Sequence, residues 1–125
     1  MSKRIEENLH KSICTYLKTQ YKNVIFNTDS SGIKLTIGQA VKLKKLRSGN
    51  GFPDIAIYEP RNKFYGLFLE VKKESPYRKD GFLYSNEHLN EQAEMHGNLR
   101  LRNYKVNFVW TFEMAKQIID EYLKN

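Results

Sequence analysis

A single cysteine, Cys14, rules out an intrachain disulfide, so the fold must be held without covalent staples. The opening residues MSKRIEENLH contain no apolar core of the kind a secretory signal needs. Together these absences lead us to expect a reducing, cytoplasmic setting. No apolar run approaches the roughly 20 residues of a membrane-spanning helix, so no membrane association is expected. The histidines His10, His88 and His96 lack the spacing of a zinc site; His88 and His96 are eight residues apart on one expected helix and read as satisfied or exposed imidazoles. No nucleophile–base pattern surrounds Cys14, no serine or threonine sits in a hydrolase elbow, and no G-x-x-x-x-G-K loop is present to cradle a nucleotide. A small-molecule cofactor is therefore not expected.

What remains is a chain of 125 residues, 40% hydrophobic and 13% aromatic, enough for one domain with a core of its own (residues 1–125). Twenty-one Lys and Arg against fourteen Asp and Glu leave a net charge of +7. That excess suits a polyanion such as nucleic acid, although a solvated basic face is the plain alternative.

Apolar residues Ile5, Leu9, Ile13, Tyr16 and Leu17 recur at helical spacing and predict a first helix over 3–19. Val24–Phe26 reads as a strand, closed by the turn formers Asp29-Ser30-Ser31-Gly32. Thr36 with Gln39 resembles a capping box, with Ala40, Val41, Leu43 and Leu46 on one side of a short helix and Lys42, Lys44, Lys45 and Arg47 largely on the other. Strands are expected over 52–58 and 64–73, turned by Glu59–Asn62. A looser stretch, 74–85, leads to a helix over 86–102, along which Leu89, Ala93, His96 and Leu99 share a face. A strand over 106–110 and a last helix capped by Thr111 complete the chain. Strand, helix, strand from 64 to 110 implies a parallel pair with a right-handed crossover, hence an α/β fold with a mixed sheet flanked by helices.

The stretch GNGFPDIAIYEPRNKFYGLFLEVKKE, residues 49–74, places three charges in an otherwise apolar hairpin. Strand alternation puts Leu67, Leu69 and Val71 on one face and Phe68, Glu70 and Lys72 on the other. Antiparallel pairing then brings Asp54, at the start of one strand, beside Glu70, near the end of the next. Two adjoining carboxylates repel unless a cation lies between them, and a hard dication with oxygen ligands removes that cost. Magnesium is the natural candidate, with manganese as a substitute; it takes one or two carboxylates, keeps waters, and accepts phosphate oxygens. So placed, it can polarise a phosphodiester and help generate hydroxide from water, while Lys72 steadies the water or the developing charge. An ordinary surface hairpin with a Glu-Lys pair is the competing account.

Gly51-Phe52-Pro53-Asp54, followed 16 positions later by Glu70-Val71-Lys72, resembles the G-x-PD…(D/E)-x-K signature of the PD-(D/E)XK nuclease superfamily. Within it the sequence is most similar to the VRR-NUC branch, with likeness to Holliday-junction resolvases and small phage-encoded nucleases. The resemblance spans essentially the whole chain. It implies a restriction-endonuclease-like core of order αβββαβ, here with a C-terminal helix and a basic insert. It also implies a metal-dependent DNA endonuclease, structure-selective for branched or junction DNA, acting in a bacterium or a phage-infected host cell, with homodimers as in relatives that act on junctions.

By the same resemblance Glu6 on the first helix, followed by Leu9 and Ile13, is an outer metal or water ligand, with Glu7 as its neighbour and competitor. Gln92 corresponds to a glutamine whose amide holds a phosphate or a water, and the main-chain carbonyl of Val71 is a further metal ligand. Asn103-Tyr104 stands where the family often has Gly, and Asn tolerates the left-handed cap conformation. The insert from about 29 to 50 carries Lys34, Lys42, Lys44, Lys45 and Arg47 directly before Asp54, and is expected to grip the DNA backbone. Two other functions stay open at this level: a non-catalytic nucleic-acid-binding module on the same fold, and a basic surface for an acidic protein partner.

Overall fold

A computed structural model describes residues 2–29 and 34–124. The elements run α1 (Ser2–Gln20), β1 (Phe26–Thr28), α2 (Ile37–Leu46), β2 (Ile55–Ile57), β3 (Leu67–Val71), α3 (Glu87–Leu101), β4 (Lys105–Val109) and α4 (Phe112–Leu123). The four strands lie in the order β1-β2-β3-β4. β1, β2 and β3 pair antiparallel, whereas β3 and β4 pair parallel across α3, as the strand–helix–strand pattern predicts.

Alternation divides the sheet into two faces. One carries Ile55, Ile57, Leu67, Leu69, Val71 and Val109 and packs with Ile13 and Leu17 of α1 and with Ala115, Ile119, Tyr122 and Leu123 of α4. The other carries Ala56, Phe68, Glu70, Val106 and Phe108, and α3 lies over its β3–β4 half. Asp120 of α4 accepts hydrogen bonds from Tyr16 Oη at 2.5 Å and Tyr21 Oη at 2.6 Å, which tie α1 to α4.

Several boundaries differ from the expectation, each for a tertiary reason. β1 starts at Phe26 rather than Val24, because pairing with β2 runs from Phe26↔Ile57 to Thr28↔Ile55. Ile25, at the centre of the apolar run, is exposed. β2 and β3 are shorter than 52–58 and 64–73, since regular pairing stops where the chain turns or meets the site. The reversal falls later than Glu59–Asn62: Arg61 and Phe64 exchange backbone hydrogen bonds of 3.1 and 2.9 Å, and Asn62 takes a positive φ of 54°. The turn expected over Asp29–Gly32 lies outside the described residues from Ser30 onward. The stretch 74–85 contains its own bridge, Tyr77↔Leu83. Ile5 is exposed, because the first turns of α1 border a polar cleft instead of the core.

The capping signals are realised. Thr36 Oγ1 accepts from the Gln39 N–H at 3.1 Å, and Gln39 Oε1 accepts from the Thr36 N–H at 2.9 Å. The expected apolar side of α2 nevertheless finds no cover. None of its residues is buried, Ala40 and Leu43 are half-buried, and Val41 and Leu46 are exposed. α3 ends with Asn103 at φ 68°, where the Tyr104 N–H donates to the Leu99 carbonyl at 3.1 Å and the Asn103 N–H to the Arg100 carbonyl at 3.0 Å. This paired closure is the reason an asparagine serves there in place of glycine.

Candidate active site

The register of β2 and β3 builds the site. Ile55 pairs with Leu69, so the next positions along the ladder are Asp54 and Glu70. Asp54 Oδ2 accepts the Val71 N–H at 2.7 Å, which fixes its carboxylate against the end of β3. The Asp54 carbonyl accepts the Asp29 N–H at 3.0 Å, bringing a third acidic residue to the same edge. Asp54 is 8% exposed and Glu70 only 1%. Burial first, then the charge of Asp54, pushes the Glu70 carboxyl well above the usual carboxylate range, with Lys72 pulling in the opposite direction.

On the α3 side, His96 Nε2 lies 3.0 Å from Glu70 Oε1. Burial, followed by the positive charges of Arg100 and Lys72, holds the His96 pKa down at about 4. The imidazole is therefore neutral at pH 7, and the contact is a hydrogen bond to the carboxyl group, not an ion pair. Gln92 is also buried; its Nε2 lies 3.2 Å from His88 Nε2, and its Oε1 has no protein partner.

Asp29, Asp54, Glu70, Lys72, His88 and Gln92 line one cleft of about 380 Å³. Of the residues singled out from the sequence, Asp54, Glu70, Val71, Lys72, Glu6, Gln92 and Arg47 line it, and Glu7 does not. Lys34, Lys42, Lys44 and Lys45 do not line it either; they are exposed on α2 or just before it. Arg47 pairs with Asp29 at 3.9 Å, on the wall nearest α2.

The sequence reading passed over His10, Asp29, His88 and His96. His10, His88 and Asp29 line the cleft and His96 touches Glu70. The signal for the histidines was present: His10 follows Glu6 by four residues, and Gln92 stands four from both His88 and His96, so each shares a helix face with a residue already chosen. The expectation that the histidines are merely satisfied or exposed holds for the exposed His88, but His96 is satisfied by a site carboxylate. The contribution of Asp29 depends on a β1–β2 pairing that no local pattern announces.

The loop 48–53 holds Asp54 against α3 through a close backbone approach. Gly51 has φ 82°, and a Cβ there would lie 2.6 Å from the Glu91 carbonyl oxygen and 2.9 Å from Gln92 Cα. Asn50 Nδ2 also donates to Glu91 Oε2 at 2.7 Å. Gly51→Ala is therefore expected to lower stability by at least ~1–2 kcal/mol from the backbone conformation alone, with overlap against α3 adding to it. Urea unfolding of the two proteins measures the difference.

A hard dication fits these side chains. Two converging carboxylates, one of them buried with a raised pKa, together with an unpartnered buried amide oxygen, are the donor chemistry such an ion satisfies. Among the described residues no group of three or more His, Cys, Asp or Glu side chains is placed to hold a metal ion. Asp54, Glu70 and the Gln92 amide oxygen would leave the remaining positions of such an ion to water and substrate.

No family model matches the chain, and no curated protein matches it. The fold has a counterpart among solved structures: a "VRR_NUC domain protein" superimposes with a TM-score of 0.68 over 95% of this chain and 88% of the other, at 20% sequence identity. The mixed α/β sheet with its flanking helices is thus a shared architecture, covering nearly the whole chain. Among the described residues no helix is long and apolar enough to cross a membrane.

Proposed function

We propose that the chain is a magnesium-dependent DNA endonuclease that hydrolyses phosphodiester bonds, with a preference for branched or junction DNA. The observation that carries this reading is the opposition of Asp54 and Glu70 across the β2–β3 ladder, in one cleft with Lys72. The PD…E-x-K resemblance and the fold shared with the VRR_NUC domain protein support it.

Asp54, Glu70 and the Val71 carbonyl would hold magnesium, with Glu6 in an outer position, and the ion would supply positive charge against phosphate oxygens and acidity to water. The protein's own groups do the rest. Lys72, one side-chain pitch from Glu70, orients the attacking water and offsets charge on the phosphate oxygens. Gln92 holds a phosphate oxygen or a water. His96 holds the Glu70 carboxyl in place from behind, and Lys34, Lys42, Lys44, Lys45 and Arg47 grip the backbone beyond the scissile bond.

Incubating wild-type protein with labelled linear, flap, nicked and four-way DNA, with and without Mg²⁺ or Mn²⁺, tests the proposal. Metal-dependent cutting supports it. Salt-sensitive DNA binding with no cutting of any substrate rejects it in favour of a non-catalytic binding module. In an active preparation, Lys72→Met is expected to lower kcat by about 10²–10³-fold while leaving metal affinity within a few-fold, as removal of one transition-state contact does. Single-turnover kinetics at saturating metal distinguish the two effects.

A further inference from the structure

A second concavity, of about 490 Å³, lies beside the carboxylate cleft on the part of the sheet that α3 leaves open. Its floor is aromatic. The rings of Phe68 and Tyr104 stack with centroids 4.9 Å apart and planes at 16°, and Tyr58 meets Phe68 edge-on at 6.5 Å. Tyr58 is 53% exposed, so this aromatic cluster is not sealed by the protein's own core. Leu99 of α3 and the exposed Leu46 at the end of α2 form its walls.

Two features indicate what such a groove would accept. It is continuous with the carboxylate cleft, because Asp29, Arg47, Phe52 and Asp54 line both. Leu46 and Arg47, which line it, end a helix whose Lys42, Lys44 and Lys45 are exposed. An occupant therefore has flat apolar faces and negative charge together, which describes an unpaired nucleotide: bases stack on aromatic rings, and the backbone follows the cations. The size suits a small ligand of that kind. A second copy of this chain is disfavoured, since it would bring the same net charge of +7 against α2.

We propose that this groove binds an unpaired nucleotide of the DNA, with its base against the Tyr58–Phe68–Tyr104 cluster and its strand passing Arg47 toward Asp54. The inference rests on the nuclease reading and deepens it: the preferred substrate carries a single-stranded segment next to the scissile phosphate, as a flap, fork or gap does.

The test is fluorescence anisotropy in EDTA, where no cleavage interferes, using a labelled oligothymidylate of about 12 nucleotides and a duplex of the same length. Tyr58→Ala is expected to weaken binding of the single strand by about tenfold and of the duplex by less than about twofold, while Tyr58→Phe and Tyr58→Trp restore it. Equal losses on both DNAs, or no loss, overturn the proposal. So does a wild-type dimer that Tyr58→Ala dissociates with no change in single-strand binding, which would mean that a second copy fills the groove. The two readings fail separately. If wild type cuts DNA but Tyr58→Ala binds single strands normally, only the groove assignment falls. If wild type cuts nothing but Tyr58→Ala still loses single-strand binding selectively, the nuclease reading falls and the groove stands.

Discussion

Asp54→Asn is expected to lower metal-dependent cleavage by about 10³-fold or more while the protein keeps its fold. Asparagine has nearly the shape of aspartate, and its side-chain oxygen can still accept the Val71 N–H that Asp54 Oδ2 accepts at 2.7 Å. The strand end is therefore held as before. What disappears is one of the two carboxylates proposed to hold the ion, and a metal ion typically supplies several kcal/mol of transition-state stabilisation, at about 1.4 kcal/mol per tenfold in rate. The substitution separates structure from chemistry. Far-ultraviolet circular dichroism should match wild type, the urea midpoint in EDTA should not fall, because losing the Asp54 charge also relieves the buried Glu70 carboxyl, and single-turnover cleavage should drop. Equal cutting by the two proteins would remove Asp54 from the site and with it the magnesium assignment.

The second large effect is on stability and has opposite signs with and without metal. In EDTA, Glu70→Gln should be more stable than wild type. Below the ordinary carboxylate range Glu70 is protonated in both folded and unfolded chains, so the two proteins differ little. As pH rises from about 4.5, the unfolded chain ionises readily, whereas the folded chain resists because of burial and the Asp54 charge. Wild type therefore loses stability as pH climbs through the raised folded-state pKa, and Glu70→Gln escapes that loss. Glutamine can also keep a hydrogen bond to His96 Nε2, so the gain is not confounded by an orphaned imidazole.

With magnesium or manganese at a hundredfold excess over its Kd, the wild type should gain about 2.7 kcal/mol, roughly 10 °C in Tm for a domain of this size. Glu70→Gln should gain almost nothing. The metal must displace the proton from Glu70, so the wild-type gain should also grow as pH rises through that same range. Thermal scans of both proteins from pH 5 to 8, each with EDTA and with metal, test all three statements. A full metal response in Glu70→Gln would show that Glu70 is not a ligand.

His96 gives these expectations a structural basis that the sequence reading did not supply. A buried carboxyl beside another carboxylate would be costly if left without a partner, and a neutral imidazole at 3.0 Å gives one of its oxygens a partner. The same contact restricts Glu70 to one orientation, which a binding site for a geometrically demanding cation requires.

The division between local and tertiary information can be followed residue by residue. Asp54, Glu70 and Lys72 were legible because strand alternation and a short turn suffice to place the start of one strand beside the end of the next. Order and type of every element, the capping box at Thr36 and the left-handed cap at Asn103 were legible for the same reason: each is dictated by residues close together in the chain. The ends of β1, β2 and β3 were not, because a strand stops where its hydrogen-bonding neighbour stops, and that neighbour lies elsewhere in sequence.

By itself, then, the sequence determined the helices and strands and a pair of carboxylates aimed at one point, all consequences of short-range periodicity. Only the tertiary structure decided that Asp29 and His96 join them, that α2 leaves its apolar side uncovered, and that an aromatic groove opens beside the cleft. Those features arise from packing between segments distant in the chain, and burial there depends on what happens to arrive opposite, which no local pattern encodes.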